Sequence, residues 1–290
     1  MKSFVVLALL AFAACNNVIN HKFVNELKQI ATYDVYEPEE NPFRDWTDEE
    51  IDNMLGDKTR YRGPKHSYEQ VVINEEYDFR KTHPECNLGV NDQARCGSCW
   101  AFGSVQALQG RFCLKGGLKK KLSYQDPVSC DRSNAGCNGG NIYRVWDYLT
   151  DTGVVDLDCF PYTAGNGRVE KCITQCKNGA AWKKYQSDDY NTFGNPTPIM
   201  KDLKENGPIS TRFDVYSDFM SYKGGIYRHT GGYRRGGHAV TIVGFGHEDG
   251  TDFWIVQNSW GPRWGEQGYF RIAFGEVGID SNSVGGIPLL

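Results

Sequence analysis

Three short segments, widely separated along the chain, together supply a thiol, an imidazole and a carboxamide. They read QARCGSCWAF at residues 93–102, GGHA at 236–239 and QNSWG at 257–261, and they contain Cys99, His238 and Asn258 respectively. A free thiol has a pKa of about 8.5 and needs a neighbouring base to act as a nucleophile near neutral pH. Histidine is suited to be that base, and an amide can hold the imidazole in one tautomer. A fold that uses these groups must bring the three segments together.

These segments resemble the papain-like cysteine proteases, specifically the cathepsin B-like branch, in which CGSCW precedes a distant histidine and asparagine. The resemblance runs from Val71 to Pro288 through CNGG at 137–140, NGP at 206–208, YSDF at 216–219 and GGIP at 285–288. It implies an α+β class with a papain-like two-lobe fold. A helical lobe and a β-barrel-like lobe would face each other across the active-site cleft.

The resemblance implies a role for each group of the site. Cys99 would be the nucleophile, His238 the general base and acid, and Asn258 the residue that orients the imidazole. Gln93 matches the family's oxyanion donor, whose side-chain amide acts together with the backbone N–H of Cys99. Trp260 matches the indole that shields the bond between histidine and asparagine from water.

Substrate-binding residues are implied in the same way. Gly139, Gly140 and Gly237 match the backbone that an extended peptide approaches closely, where the absence of side chains is an advantage. Asn282 aligns with the floor of the S2 pocket, where cathepsin B has a glutamate that admits arginine. We therefore expect apolar residues at the substrate's P2 position. Shifting the alignment by two residues would place Asp280 there instead and restore an acid.

The segment from Cys159 to Cys172 is shorter than the occluding loop of cathepsin B and contains no histidine. In cathepsin B, a His-His pair in that loop binds the substrate's C-terminal carboxylate. We therefore expect an endopeptidase with little or no dipeptidyl carboxypeptidase activity.

The chain has ten cysteines, which favours an oxidising compartment. Setting aside Cys15, in the N-terminal segment, and Cys99 leaves eight, for which the sequence alone allows 105 pairings. The resemblance implies four disulfides: Cys86–Cys113, Cys96–Cys137, Cys130–Cys172 and Cys159–Cys176. A Cys96/Cys99 redox pair is the alternative for the CGSC motif.

The N-terminal part is predicted to be removed in two steps. Residues 1–14 carry Lys2 and then an apolar run that ends in small residues, which is typical of a secretory signal peptide; a buried helix is the alternative. Residues 15–70 resemble an inhibitory propeptide, and residues 71–290 the peptidase domain. Within residues 15–70, Phe23 and Leu27 recur at helical spacing, and Thr47 precedes a second short helix. A flexible linker is the alternative.

In the peptidase domain, the sequence predicts a helical lobe mainly over residues 90–190 and a β-rich lobe mainly over 195–285. The apolar residues after Cys99 predict a helix, which would place the thiol at a helix N-terminus and lower its pKa. Residues 239–245, 252–257 and 268–272 are rich in β-formers and predict strands that carry His238 and Asn258.

The composition of the chain limits the classes of partner that it is expected to bind. A net charge of −4 and a pI near 5.9 disfavour nucleic acid and anionic membranes as partners, and no later segment predicts a membrane anchor. We expect no cofactor and no metal, because the cysteines are accounted for by disulfides and catalysis. Expected partners are protein and peptide substrates, the chain's own propeptide as inhibitor, and cystatin-type inhibitors, with the enzyme a monomer.

Taken together, the sequence predicts a cysteine endopeptidase made as a zymogen in the secretory pathway, for a lysosome or vacuole or for the outside of the cell. A catalytically inactive papain-like binding protein is the alternative from another class. Such a protein would usually have lost Cys99, His238 or Gln93, and all three are present.

Overall fold

The structure is a computed structural model that describes residues 19–59 and 75–290. The predicted signal peptide and the predicted boundary at residue 70 lie outside these residues. The helices are α1 His21–Ile30, α2 Asp48–Met54, α3 Phe79–Thr82, α4 Cys99–Gly116, α5 Gln125–Cys130, α6 Ile142–Asp151 and α7 Pro196–Asn206. The strands are β1 Asp34–Val35, β2 Tyr77–Asp78, β3 Ser187–Phe193, β4 Ile209–Tyr216, β5 Tyr222–Gly224, β6 Ile226–Tyr227, β7 Arg234–Glu248, β8 Thr251–Gln257, β9 Tyr269–Ala273 and β10 Ser283–Pro288.

One mixed sheet forms the second lobe, with strand order β3-β10-β4-β7-β8-β9-β6 and with β2 paired to β7. Its strands pair antiparallel except β6 with β9. The long strand β7 carries His238 opposite Phe213 of β4, and β8 ends immediately before Asn258. The predicted strands of this half are confirmed. Strand β3 begins inside the stretch expected for the helical lobe, because it pairs with β10 near the C-terminus.

Helix α4 lies between the two lobes and is buried over most of its length. It approaches β7 closely at Gly103, where an added Cβ would lie 2.9 Å from the backbone nitrogen of Val240. The hydroxyl of Thr241 donates a hydrogen bond to the carbonyl of Gly103 over 2.9 Å. This contact holds the N-terminal end of α4 beside the part of β7 that carries His238. The predicted helix after Cys99 is confirmed and is longer than expected.

Residues 19–59 fold against the rest of the chain. Asn20 caps α1, and Thr47 and Glu50 form a reciprocal capping box at the start of α2. Strand β1 pairs with β5, and Ile51 and Met54 of α2 join the hydrophobic core of the sheet lobe. The two short helices predicted in this stretch are confirmed. Their burial supplies the stability that such short helices lack in water.

The four disulfides of the structure are the ones that the resemblance implies: Cys86–Cys113, Cys96–Cys137, Cys130–Cys172 and Cys159–Cys176. The first ties the loop before the active-site segment to α4. The second joins that segment to the loop that precedes Gly139.

Candidate active site

Cys99 is the first residue of α4, and its side chain is completely buried. It is the free cysteine of the described residues, because Cys96 is bonded to Cys137. The Cys96/Cys99 redox pair is therefore wrong. Backbone N–H groups of Trp100 and Ala239 face the thiol, so Cys99 lies beside the residue that follows His238.

His238 is held by two neighbours. Its Nε2 lies 2.7 Å from Oδ1 of Asn258, and its ring stacks on Trp260 with the ring centroids 4.6 Å apart. Oδ1 of Asn258 also accepts a hydrogen bond from the backbone N–H of Ser259. Because Oδ1 is an acceptor, Nε2 carries the hydrogen. The other nitrogen, Nδ1, is buried without a hydrogen-bond partner in the described part of the chain, and it remains available to exchange a proton.

Gln93 is fully buried and fixed from both ends of its amide. Its Oε1 accepts a hydrogen bond from the hydroxyl of Ser259 over 2.6 Å. Its Nε2 donates to the carbonyls of Cys96 and Met54, over 2.8 and 2.9 Å. One of the two carbonyls that the Gln93 amide binds, that of Met54, therefore comes from the N-terminal segment of the same chain.

Residues 55–58, which follow α2, run across the site, and Gly56 and Asp57 form isolated β-bridges there. The carbonyl of Gly56 accepts a hydrogen bond from the N–H of Gly140 over 2.8 Å, and Lys58 N–H donates back to the carbonyl of Gly140 over 2.7 Å. On the other side, Asp57 N–H donates to the carbonyl of Gly237 over 3.0 Å. Peptide backbone is thus bound between two glycine-lined edges, one from each lobe.

Several of these contacts require glycine. A Cβ added to Gly139 would lie 2.5 Å from the carbonyl oxygen of Gly56, and Gly139 has a φ of +102°. A Cβ on Gly140 would lie 2.6 Å from the ring of Trp100. Beside this edge the surface opens into a cleft of about 480 Å³, lined partly by Asn134 and Arg144. The predicted substrate-binding glycines therefore line a groove that admits backbone.

Burial sets the protonation of the site in this covered state. It raises the pKa of Cys99 to about 12, and the negative charge of Asp57 acts in the same direction. It lowers the pKa of His238 to about 4, although the oxygen of Asn258 favours the charged ring. The expectation of a lowered thiol pKa is therefore wrong for this state. The N-terminus of α4 does favour the thiolate, but desolvation outweighs it, and the pair is a neutral thiol and a neutral imidazole.

The two candidates for the S2 floor have different surroundings. Asn282 is buried and its Oδ1 lies 3.1 Å from the hydroxyl of Tyr143, on the helical lobe. Asp280 instead accepts hydrogen bonds from the indole of Trp254 and the N–H of Gly275. Asn282 thus lies between the lobes and Asp280 in the core of the sheet lobe, which supports the unshifted alignment.

One charged residue of the cleft, Arg212 on β4, was missed. Its side chain is only 7% exposed, and its Nε donates to the carboxylate of Asp57 over 2.9 Å. A lone arginine within a run of strand-forming residues gives no signal that it faces a cleft.

The segment between Cys159 and Cys172 packs beside the nucleophile's loop. The carbonyl of Gly165 accepts a hydrogen bond from the N–H of Arg95 over 3.0 Å, and the hydroxyl of Tyr162 donates to the carbonyl of Gln93 over 2.9 Å.

Within residues 19–59 and 75–290, no three His, Cys, Asp or Glu residues are grouped as metal ligands. Among the helices of these described residues, none is long and apolar enough to cross a bilayer.

Comparison with known proteins agrees with this geometry. Residues 73–287 match the Papain family cysteine protease family. Cathepsin B-like CP3 of Giardia intestinalis is 42% identical over 259 residues, which cover 84% of this chain and 86% of that relative. Cathepsin B-like cysteine proteinase 6 of Caenorhabditis elegans is 38% identical over 257 residues, which cover 75% and 67%.

Among solved structures, proCathepsin B S9 from Trypanosoma congolense superposes with a TM-score of 0.84 at 26% identity, covering 94% of this chain and 99% of that chain. A cysteine protease from ragweed pollen, Amb a 11, in its proform, gives 0.75 at 27% identity, over 92% and 85%. Matched by the family over most of its length and folded like a procathepsin B, this chain belongs to the papain family of cysteine proteases, in its cathepsin B-like branch.

Proposed function

We propose that this chain is the zymogen of a cysteine endopeptidase that hydrolyses proteins and peptides through Cys99, His238 and Asn258. The observation that carries the proposal is the fixed ring of His238. Asn258 engages Nε2, and Nδ1 has no hydrogen-bond partner among residues 19–59 and 75–290, while Cys99 lies beside Ala239 at the start of α4. This is the arrangement of a nucleophile, a base and an orienting group.

In the proposed reaction, Nδ1 of His238 takes the proton of Cys99 and the thiolate attacks the scissile carbonyl. The amide of Gln93 and the backbone N–H of Cys99 stabilise the oxyanion. The tetrahedral species collapses, the C–N bond breaks, and His238 gives its proton to the leaving amine. Water, deprotonated by His238, then attacks the thioester; the carboxylic acid leaves and the thiol of Cys99 is regenerated.

Residues 15–70 are proposed to be the inhibitory propeptide. The support is that residues 54–58 cover the site. The side-chain amide of Gln93 donates a hydrogen bond to the carbonyl of Met54, and the N–H of Asp57 donates one to the carbonyl of Gly237. The match to the family begins at residue 73, close to the proposed start of the peptidase domain at residue 71. The complete burial of Cys99 in this covered state is consistent with a segment that blocks the site.

Residues 1–14 are proposed to be the signal peptide that directs the chain into the secretory pathway, toward a lysosome or vacuole or the outside of the cell. Four disulfides support an oxidising compartment. The absence of histidine between Cys159 and Cys172 supports endopeptidase action over removal of C-terminal dipeptides.

The test is alkylation of Cys99 by an epoxide inhibitor of cysteine proteases, with peptidase activity measured in parallel on the processed protein. We expect one label per molecule, located at Cys99, and loss of activity in proportion. The Cys99→Ser variant should show neither label nor activity. Proteolysis that survives in Cys99→Ser would contradict the proposal, and a folded, processed wild-type protein without any peptidase activity would favour the inactive binding protein.

A further inference from the structure

Arg212 is a buried cation at the edge of the cleft. Its Nε donates to Oδ2 of Asp57 over 2.9 Å, and its Nη2 donates to Oδ1 of Asp214 over 2.8 Å. The guanidinium is therefore held in place by Asp214, a residue of its own strand, whether or not Asp57 is present. A pre-positioned guanidinium of this kind is suited to bind a carboxylate.

Asp57 reaches Arg212 as part of an extended peptide. Asp57 lies opposite Gly140 in the backbone pairing, and its own N–H is bonded to Gly237. If an extended substrate pairs with the same two glycine edges and its P1 carbonyl lies at Cys99, its P2 residue, the second before the scissile bond, lies opposite Gly140. The carboxylate of Asp57 therefore occupies the space that the P2 side chain of a substrate would enter.

The shape of this space depends on glycine. A Cβ on Gly237 would lie 2.9 Å from both Nη2 of Arg212 and Oδ2 of Asp57. Glycine at this position therefore opens the path by which an acidic side chain meets the guanidinium. Any other residue would narrow that path.

The charges balance only while an acid is present. Asp214 is shared between Arg212 and Arg234, which lies 2.9 Å from it. With Asp57, this group holds two cations and two anions; without Asp57, it holds two cations and one anion. Losing one of its two acidic partners is costly for a buried guanidinium, so the vacated pocket favours a new anion.

This inference rests on the proposed function. We propose that Arg212 makes the mature enzyme select substrates with aspartate or glutamate at P2, and that Asp57 of the N-terminal segment imitates such a residue. This replaces the apolar P2 preference that the position of Asn282 suggests. An apolar P2 side chain would leave Arg212 desolvated with only the shared carboxylate of Asp214 as its partner, whereas an acidic one restores the second ion pair.

The test uses the full chain after processing, with active sites counted by epoxide titration. Peptides that differ only at P2 (Asp, Glu, Asn, Leu or Arg) are compared by kcat/KM at about pH 6, where the P2 carboxylate of the free peptide is ionised. We expect Asp or Glu to exceed Asn, the neutral match of Asp, and Leu by at least about tenfold. The Arg212→Gln variant should lose this advantage, so that its kcat/KM for the Asp and Glu peptides no longer exceeds that for the Asn peptide, and Arg212→Lys should keep part of the advantage.

The wild-type profile decides the question even if Arg212→Gln fails to fold. Faster cleavage of the Leu or Arg peptide than of the Asp and Glu peptides would overturn the role of Arg212 and leave the endopeptidase intact. Failure of the proposed function looks different, because then no P2 peptide is cleaved and no active site is titrated.

Discussion

The side-chain amide of Gln93 donates a hydrogen bond to the carbonyl of Met54 over 2.9 Å. Gln93 is the proposed oxyanion donor, and Met54 is the last residue of α2 in the N-terminal segment. The same segment continues through Gly56 and Asp57 across Cys99. Helix α2 and its capping box therefore deliver a backbone carbonyl to the group that would otherwise stabilise negative charge in the reaction.

Replacing Gln93 by alanine should lower kcat of the processed enzyme by about 100- to 1000-fold, or about 3–4 kcal/mol, because one oxyanion donor is lost. The matched control is Ser259→Ala, which removes the hydroxyl that donates to Oε1 of Gln93 but keeps the amide donor. We expect the control to lose less than about tenfold, since that hydrogen bond only positions the amide. Equal losses in the two variants would speak against an oxyanion role for Gln93.

Gly56→Ala should loosen the covering segment. A Cβ at this position would lie 1.9 Å from the carbonyl oxygen of Gly97, next to the nucleophile's loop. Overpacking typically costs about 1–3 kcal/mol, which corresponds to about 5- to 150-fold in the population of the open state. The measurement is the rate at which an epoxide alkylates Cys99 in the unprocessed chain, which should rise by that factor.

The control for this experiment is Glu26→Ala, on an exposed position of α1. It should leave the labelling rate unchanged. If Gly56→Ala labels no faster than Glu26→Ala, residues 54–58 do not limit access to Cys99.

Acid should destabilise the covered state through His238. Burial lowers the pKa of its imidazole from 6.5 to about 4, so the unfolded chain binds a proton there more readily than the covered state does. The stability that His238 contributes is therefore present above pH 6.5 and is lost as the pH falls through 4, by about 2–3 kcal/mol at pH 4.5. Asp57 acts in the opposite direction, because burial raises the pKa of its carboxyl.

Urea unfolding of two unprocessed variants separates these effects. Cys99→Ala keeps His238 and cannot process itself, and Cys99→Ala/His238→Gln lacks the imidazole while it keeps Asp57. We expect the first to lose more stability than the second between pH 7 and about pH 4.5, by about 2–3 kcal/mol. Identical pH dependences would exclude a buried neutral imidazole in the covered state.

The sequence was sufficient where the signal is local or where residue types leave little choice. Thr47 predicts a short helix after it because a cap lies within one turn of the helix start, and the structure contains that helix, with Thr47 and Glu50 as a capping box. His238 and Asn258 lie at the ends of β-rich runs that were recognised as strands, and the structure joins their side chains at 2.7 Å. Such features depend on chain periodicity and side-chain chemistry, which the sequence displays directly.

The features that were missed depend on contacts between distant residues. Arg212 and Asp57 are 155 residues apart, and nothing in the strand that contains Arg212 shows which face meets the cleft. The pKa of Cys99 was expected to fall because a helix N-terminus is a local feature. The pKa rises because burial removes water from the thiol and because the charge of Asp57 lies nearby, and both conditions exist only in the folded chain.

The Cys96–Cys137 disulfide should matter for activity and the Cys159–Cys176 disulfide mainly for stability. Each removes loop-closure entropy from the unfolded chain, over separations of 41 and 17 residues, and each loss should cost about 2–5 kcal/mol. Only the Cys96–Cys137 disulfide involves the active-site segment: Cys96 lies between Gln93 and Cys99, and the bond joins that segment to the loop that contains Gly139.

Serine replacement of both cysteines of one bridge, compared with the same replacement in the other, tests this. Both variants should unfold at lower urea concentration, and only the variant at Cys96 and Cys137 should lose kcat/KM per titrated active site. Comparable losses of kcat/KM would show that the Cys96 bridge has no special role in positioning the site.

The enzyme should cleave within chains and not trim them by dipeptides from the C-terminus. The segment that would have to bind a C-terminal carboxylate, from Cys159 to Cys172, offers no histidine, and Gly165 and Tyr162 hold it against the nucleophile's loop. Mass spectrometry of an N-terminally blocked peptide, incubated with processed enzyme, should show internal cuts whose positions do not depend on whether the C-terminus is free or amidated. Successive losses of dipeptides from the free acid alone would contradict this, because only a bound terminal carboxylate explains such a difference.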